Sequence, residues 1–202
     1  MKIICVGENP PRVGGDAGAR PSPPTVFLKP DTSLLRDNAP FYVPDWAGRF
    51  GCAATLAVRI SRIGRHVGEQ FAHRYYDAAG LCVDFAATDL LDAQRAQGAP
   101  WAVARAFDYS TAVSTMVPLG ELPPLGELGF SLSVDEVLRQ ECVAGRMCHS
   151  VDAVVAYVSQ FFSLRMGDLI LLGAPAGFCP IAEGNRLTAR LGGRTMLDFL
   201  VK

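Results

Sequence analysis

The stretch from Phe71 to Leu90, FAHRYYDAAGLCVDFAATDL, constrains the fold most. Phe71 and Tyr75 stand four residues apart and so share one face of a short helix. Gly80 can end that helix, and Gly80 to Ala87 then reads as a strand. Inside the strand, Asp84 lies between Val83 and Phe85. A carboxylate among apolar neighbours costs free energy unless something pairs with it. Asp84 therefore either points into a wet cleft or meets a cation or donor. On pattern alone, an acid on a solvated sheet face fits equally well.

The rest of the chain supplies partners for such a strand. Lys2–Val6, Thr25–Lys29, Phe41–Val43 and Ala53–Ile60 read as strands. In the last, Thr55, Ala57 and Arg59 share one face and Ala54, Leu56 and Val58 the other. Ala112–Leu119, Phe130–Val134, Glu136–Cys142, Asp168–Leu172, Arg186–Leu191 and Thr195–Val201 follow. Short helices are expected over Asp89–Gln97, with Thr88 as its N-cap, and over Pro100–Phe107. The clearest helix spans Ser150–Leu164, where Val151, Val154, Val155, Val158, Phe161 and Phe162 keep the helical period behind Ser150. Residues 8–24, rich in Pro and Gly, predict a mobile loop. Asp168–Leu172 leads into Gly173-Ala174-Pro175-Ala176-Gly177, a turn of the kind that can aim backbone N–H groups at an anion, or a plain turn.

Composition limits the function classes. The 202 residues suffice for one domain with a real core, and half are hydrophobic with 19% charged. Net charge is -1 with no basic run, which argues against nucleic acid or an anionic membrane as partner. No apolar run reaches membrane-spanning length, and the N-terminal apolar run is too short for a signal-peptide core, so a cytoplasmic protein is expected. The six cysteines form no C-x-x-C pair and read as reduced thiols. Cys142, Cys148 and His149 lack an evident fourth ligand for zinc.

The phrase FAHRYYD-x-x-G-L-x-V-D-F-x-A-x-D-L resembles the fumarylacetoacetate hydrolase family, in particular its small single-domain members. Val26-Phe27-Leu28-Lys29-Pro30, Pro100-Trp101, Ala106-Phe107-Asp108, Arg139-Gln140, Ser159-Gln160-Phe161-Phe162 and Gly167-Asp168-Leu169-Ile170 agree in the family's order. The resemblance runs from about Thr25 to the end. It implies a single α+β domain over residues 1–202, a mixed β-roll or β-sandwich with a few short helices, and a homodimer. It also implies hydrolysis, isomerisation or decarboxylation of diketo and 2-oxo acids at a divalent metal.

The resemblance places functional groups where this chain departs from them. The family's Glu-x-Glu metal pair falls on Ala53 and Thr55, and its third metal carboxylate on Asp84. Alternation in a strand puts such a pair on one side, where it can hold a hard cation with a third acid. The family's Lys falls on Arg105, and Arg stays protonated but can grip a carboxylate bidentately. A plain surface Arg fits the pattern as well. Thr residues fall on Ala144 and Ala174, and an Arg on Thr88. Asn9 is kept, but no His precedes His66, so the family's lid base is missing.

Two expectations follow. The first is a non-catalytic or impaired homologue with no cofactor, which binds a small carboxylate or pairs with an active relative. Its pocket candidates are Arg105, Asp108, Gln140, Gly173, Ala174 and Pro175, near Asp84. The second is a metal-dependent hydrolase, isomerase or decarboxylase with a rebuilt Mg²⁺ or Mn²⁺ site, using Asp84 with Asp108 or Asp89.

Overall fold

A computed structural model describes residues 1–12 and 22–202. The elements run β1 (Ile3–Val6), β2 (Val26–Lys29), β3 (Leu34–Leu35), β4 (Phe50–Ile60), β5 (Tyr76–Ala87), α1 (Thr88–Ala96), α2 (Ala102–Arg105), β6 (Thr111–Val113) and β7 (Val117–Pro118). They continue with β8 (Gly129–Val134), β9 (Val137–Val143), α3 (Val151–Phe161), β10 (Leu169–Leu171), β11 (Cys179–Ile181), β12 (Arg186–Leu191) and β13 (Arg194–Leu200). Part of the loop expected over residues 8–24 lies outside the described residues.

One mixed sheet, one antiparallel sheet and a few helices make an α+β fold. The larger sheet runs β2-β1-β10-β4-β5-β6-β3, with β11 paired to β4 and β7 to β5. The smaller runs β13-β12-β8-β9 and is antiparallel throughout. The spine is the antiparallel β4–β5 pair, in register from Phe50 opposite Ala87 to Arg59 opposite Ala78, with a shift before Ile60 meets Tyr76. Both strands are buried on both faces, which is why they read as apolar runs rather than strict alternation.

Period-2 alternation sorts the two faces. Ala54, Leu56, Val58, Leu81, Val83 and Phe85 join the main core with Phe130, Leu132, Leu187, Phe199 and the Val face of α3. Ala57 and Cys82 face the other way, onto Ile3, Cys5, Leu169 and Leu171. Ala86 shares that second face and packs on Leu91 of α1 and Ala104 of α2. Asp84 has the same parity, so α2 lies on the side of the sheet to which the carboxylate points.

Several boundaries differ from expectation. Gly80 does not end a helix: residues 69–74 form 3-10 turns, and the strand begins at Tyr76. Gly80 lies inside β5 because a Cβ there would come within 2.7 Å of Met116 Sδ and 3.0 Å of Ser114 Oγ. Thr88 opens α1 instead of capping it; its hydroxyl donates to Arg49 O at 3.3 Å. Phe41 makes only an isolated bridge to Val201. Ser150 caps α3 as expected, accepting from Ala153 N at 3.1 Å.

Candidate functional site

Asp84 is buried, and both of its oxygens are taken. Oδ1 is ion-paired with the Lys29 ammonium, which is wholly buried at the end of β2. Oδ2 accepts from Arg105 Nη2 at 2.6 Å. The Lys29 ammonium also donates to Thr111 Oγ1 at 2.8 Å, Ser110 O at 3.0 Å and Ser110 Oγ at 3.1 Å. Topology makes this meeting. β5 places Asp84 opposite Thr111 of β6, while α2 contacts both β5 and β2. Burial alone would push the Asp84 carboxyl up, but the Lys29 and Arg105 charges and hydrogen bonds outweigh it and hold the group below the usual carboxylate range.

Arg105 is 1% exposed, so the surface reading of this residue is wrong. Its guanidinium carbon lies 4.8 Å from the Phe27 ring centroid, 4.7 Å from that of Phe178 and 5.9 Å from that of Trp101. Aromatic faces suit the weakly hydrated guanidinium. Its Nε and Nη1 are buried and have no hydrogen-bond partner among the described residues. Buried donors are nearly always satisfied in folded proteins, so this pair calls for an acceptor.

A second group of residues lies along β4. One edge of β4 pairs with β5; the other is shared by β11 at Phe50–Cys52 and β10 at Ala57–Arg59. Ala54 N falls in the gap and donates to Gln140 Oε1 at 2.7 Å. Gln140 Nε2 in turn donates to Gly177 O at 3.0 Å. The Thr55 hydroxyl donates to Gly173 O at 3.1 Å. Asn9 N donates to Ala174 O at 2.9 Å, and the fully buried Asn9 side chain exchanges two hydrogen bonds with the His149 backbone. Gly173 has φ +86, and a Cβ there would come within 3.1 Å of Val6 and Glu8, so glycine is required. Gly173, Ala174 and Pro175 are thus a buried, strapped turn, with two of their carbonyls turned inward.

The candidates therefore divide. Asp84 and Arg105 meet directly. Gln140 is buried nearby, but both ends of its amide serve backbone groups. Asp108 is exposed. Asp89 accepts from Gly48 N and Leu90 N at the head of α1. Reading the sequence missed Lys29 as the partner of Asp84. Its signal was a lysine ending an apolar strand, directly before Pro30.

The family model described as fumarylacetoacetate (FAA) hydrolase C-terminal matches residues 2–199. The chain belongs to the fumarylacetoacetate hydrolase family. The bovine protein named oxaloacetate tautomerase FAHD1, mitochondrial, is 34% identical over 99% of this chain and 91% of its own. Oxaloacetate tautomerase YcgM of Escherichia coli is 32% identical over 96% and 90%. The structure of fumarylpyruvate hydrolase from Pseudomonas aeruginosa in complex with Mn²⁺ and pyruvate superposes with a TM-score of 0.90 at 26% identity, over 100% of this chain and 88% of that one.

These relatives overturn the expectation of a non-catalytic homologue. Full-length likeness above 30% joins this chain to proteins named for an enzymatic activity. The Mn²⁺ in the Pseudomonas structure likewise gives no support to the expectation that a cofactor plays no part. A divalent metal is nevertheless a poor fit to the residues at Asp84. Ala53, the residue opposite Asp84, carries no ligand, and the Thr55 hydroxyl is engaged by Gly173. Among the described residues no group of three His, Cys, Asp or Glu side chains could hold a metal. Neither Asp108 nor Asp89 supplies a second carboxylate beside Asp84.

The described residues contain no helix long and apolar enough to cross a membrane. All six cysteines are free.

Proposed function

We propose that this protein catalyses keto–enol tautomerisation of a small 2-oxo dicarboxylic acid, with oxaloacetate as the type. The observation that carries this reading is the likeness, over nearly the whole chain, to proteins named oxaloacetate tautomerase. The reaction breaks a C–H bond at C3 and forms an O–H bond at the C2 oxygen, or the reverse. Water carries the proton between them, and nothing is consumed. Both directions pass through an enolate, whose charge is shared between C3 and the C2 oxygen. A cation fixed beside that oxygen stabilises the transition state more than either neutral form.

In this reading Arg105 is the residue that meets the substrate's negative charge, with the Asp84–Lys29 pair fixing its orientation. Gly173, Ala174 and Pro175 form one wall, and Gln140 keeps that wall against β4. Asp108, at the surface, has no role. The cytoplasm is the compartment this reading assigns, on the strength of six unpaired cysteines.

Absorbance of the oxaloacetate enol, followed after mixing keto-rich or enol-rich solutions with the protein, tests the proposal. Relaxation from both sides should quicken in proportion to protein concentration while the final ratio stays unchanged. A second reading, cleavage of an acylpyruvate by water, is favoured by the likeness to fumarylpyruvate hydrolase. Steady loss of fumarylpyruvate with release of pyruvate, and no effect on oxaloacetate, would establish that reading instead.

A further inference from the structure

We infer that the buried Lys29–Asp84–Arg105 cluster is an organic cationic centre that binds the carboxylate or enolate of a 2-oxo acid without a divalent metal. The inference rests on the proposed 2-oxo acid reading for the identity of the ligand. Its grounds are the charges and donors at the cluster.

One carboxylate meets two cations. Lys29 and Arg105 together carry two positive charges against the single negative charge of Asp84, and all three side chains are buried. Among the described residues the cluster is left with an excess of one positive charge. An isolated charge away from water is costly unless a counter-charge arrives. Among the described residues the other titratable groups facing this cluster are Cys5 and Cys82; burial pushes the Cys5 thiol up to about 12 and the Cys82 thiol up as well, so neither supplies a negative charge at neutral pH.

The donors point to the same conclusion. Lys29 is saturated by four oxygen acceptors: one from Asp84, two from Ser110 and one from Thr111. Arg105 is not saturated. Its Nη2 is spent on Asp84, while Nε and Nη1 lie buried without acceptors among the described residues. These two donor nitrogens lie on different edges of the planar guanidinium, each edge shared with Nη2, so a small oxyanion can be met at either edge. The aromatic rings of Phe27, Trp101 and Phe178 lie against the cation and are themselves only half-buried.

A divalent ion would face the opposite conditions. It would enter a cluster already carrying excess positive charge, with its one carboxylate ion-paired at both oxygens and no second carboxylate opposite. Hard cations take oxygen ligands, and Mg²⁺ leaves its water shell reluctantly. Arg105 supplies a permanent positive charge in its place and needs no deprotonated ligands.

The test uses oxalate, a planar dianion that mimics the enolate, and the whole protein kept in excess EDTA. Calorimetric titration should show saturable oxalate binding, and the melting temperature should rise with oxalate concentration. Adding Mn²⁺ in place of EDTA, without oxalate, should give no saturable metal binding. Arg105→Met should weaken oxalate binding at least tenfold, and Arg105→Lys, which keeps the charge but not the planar guanidinium, should weaken it less. Asp108→Asn, at an exposed residue outside the cluster, should leave the affinity unchanged, and Arg105→Lys carries the comparison if Arg105→Met does not fold. The inference is overturned if oxalate binds only when Mn²⁺ is present, or if it binds in EDTA with equal affinity to both Arg105 variants. Failure here is separable from failure of the proposed function. Tautomerisation that requires added Mn²⁺ would retain the function and remove this centre. Oxalate binding in EDTA with no tautomerisation would do the reverse.

Discussion

At the scale of single residues, the chemistry is concentrated in three side chains drawn from three elements. Lys29→Met should remove one of the two partners of a buried carboxylate. Breaking a buried ion pair on one side typically costs about 3–5 kcal/mol, and urea unfolding measures it directly. A loss under about 1 kcal/mol would mean that water reaches the pair and screens it. The pH dependence has a fixed sign. The folded-state value of Asp84 lies below its unfolded value, so the folded protein binds fewer protons and the pair's contribution is full above the unfolded value. It drains as pH falls through the folded value. The stability gap between wild type and Asp84→Asn should therefore be constant from neutral pH down to about 4 and narrow only in stronger acid. A gap that closes between pH 7 and 5 would contradict the ion-paired carboxylate. The identity of Asp84 as the odd residue in its strand was legible in the sequence, because an acid between Val83 and Phe85 must be explained. Its partners were not, since Lys29 and Arg105 lie 55 and 21 positions away and only the sheet order brings them together.

At the scale of elements, the strand β4 shows how a gap in a sheet edge is filled by a side chain. Gln140 satisfies a backbone donor that neither β10 nor β11 reaches, and it fastens the turn after β10 to the sheet. Gln140→Ala should cost about 1–3 kcal/mol for the unsatisfied groups it leaves. Hydrogen exchange should quicken at Ala54 and through residues 173–177, with no change at the Lys29–Asp84 pair. Equal protection in both proteins would show that the amide is dispensable. Sequence periodicity located β5, α3 and the paired strands of the smaller sheet because each has one consistent neighbour on each face. It failed at Gly80 and Thr88 for local reasons. A glycine ends helices in general, but here it admits the Ser114–Met116 segment against the sheet. A threonine caps helices in general, but here the Arg49 carbonyl claims its hydroxyl.

At the scale of the whole molecule, the fold was legible from landmarks spread along the chain, because proline, glycine and aromatic positions fix turns and packing. The likeness to proteins named for an activity was not, because the substituted positions 53, 55, 105 and 174 suggest lost chemistry when read one at a time. Homodimerisation is a further expectation at this scale. Val137 and Leu138 are exposed on β9, and Leu200 on β13, the two outer strands of the smaller sheet. Open apolar edges of this kind are commonly covered in soluble proteins. Light scattering at micromolar concentration should give twice the monomer mass, and a monomer mass alone would contradict it. The most direct measurement of the catalytic account is the relaxation of the oxaloacetate enol band in EDTA, with wild type and Arg105→Met compared at equal protein concentration. Wild type should accelerate relaxation in both directions, and Arg105→Met should lose about 10²-fold or more of that acceleration, the scale expected when one preorganised charge beside an oxyanion is removed. Wild-type protein that leaves the relaxation at its buffer rate, or an Arg105→Met variant as fast as wild type, would contradict it.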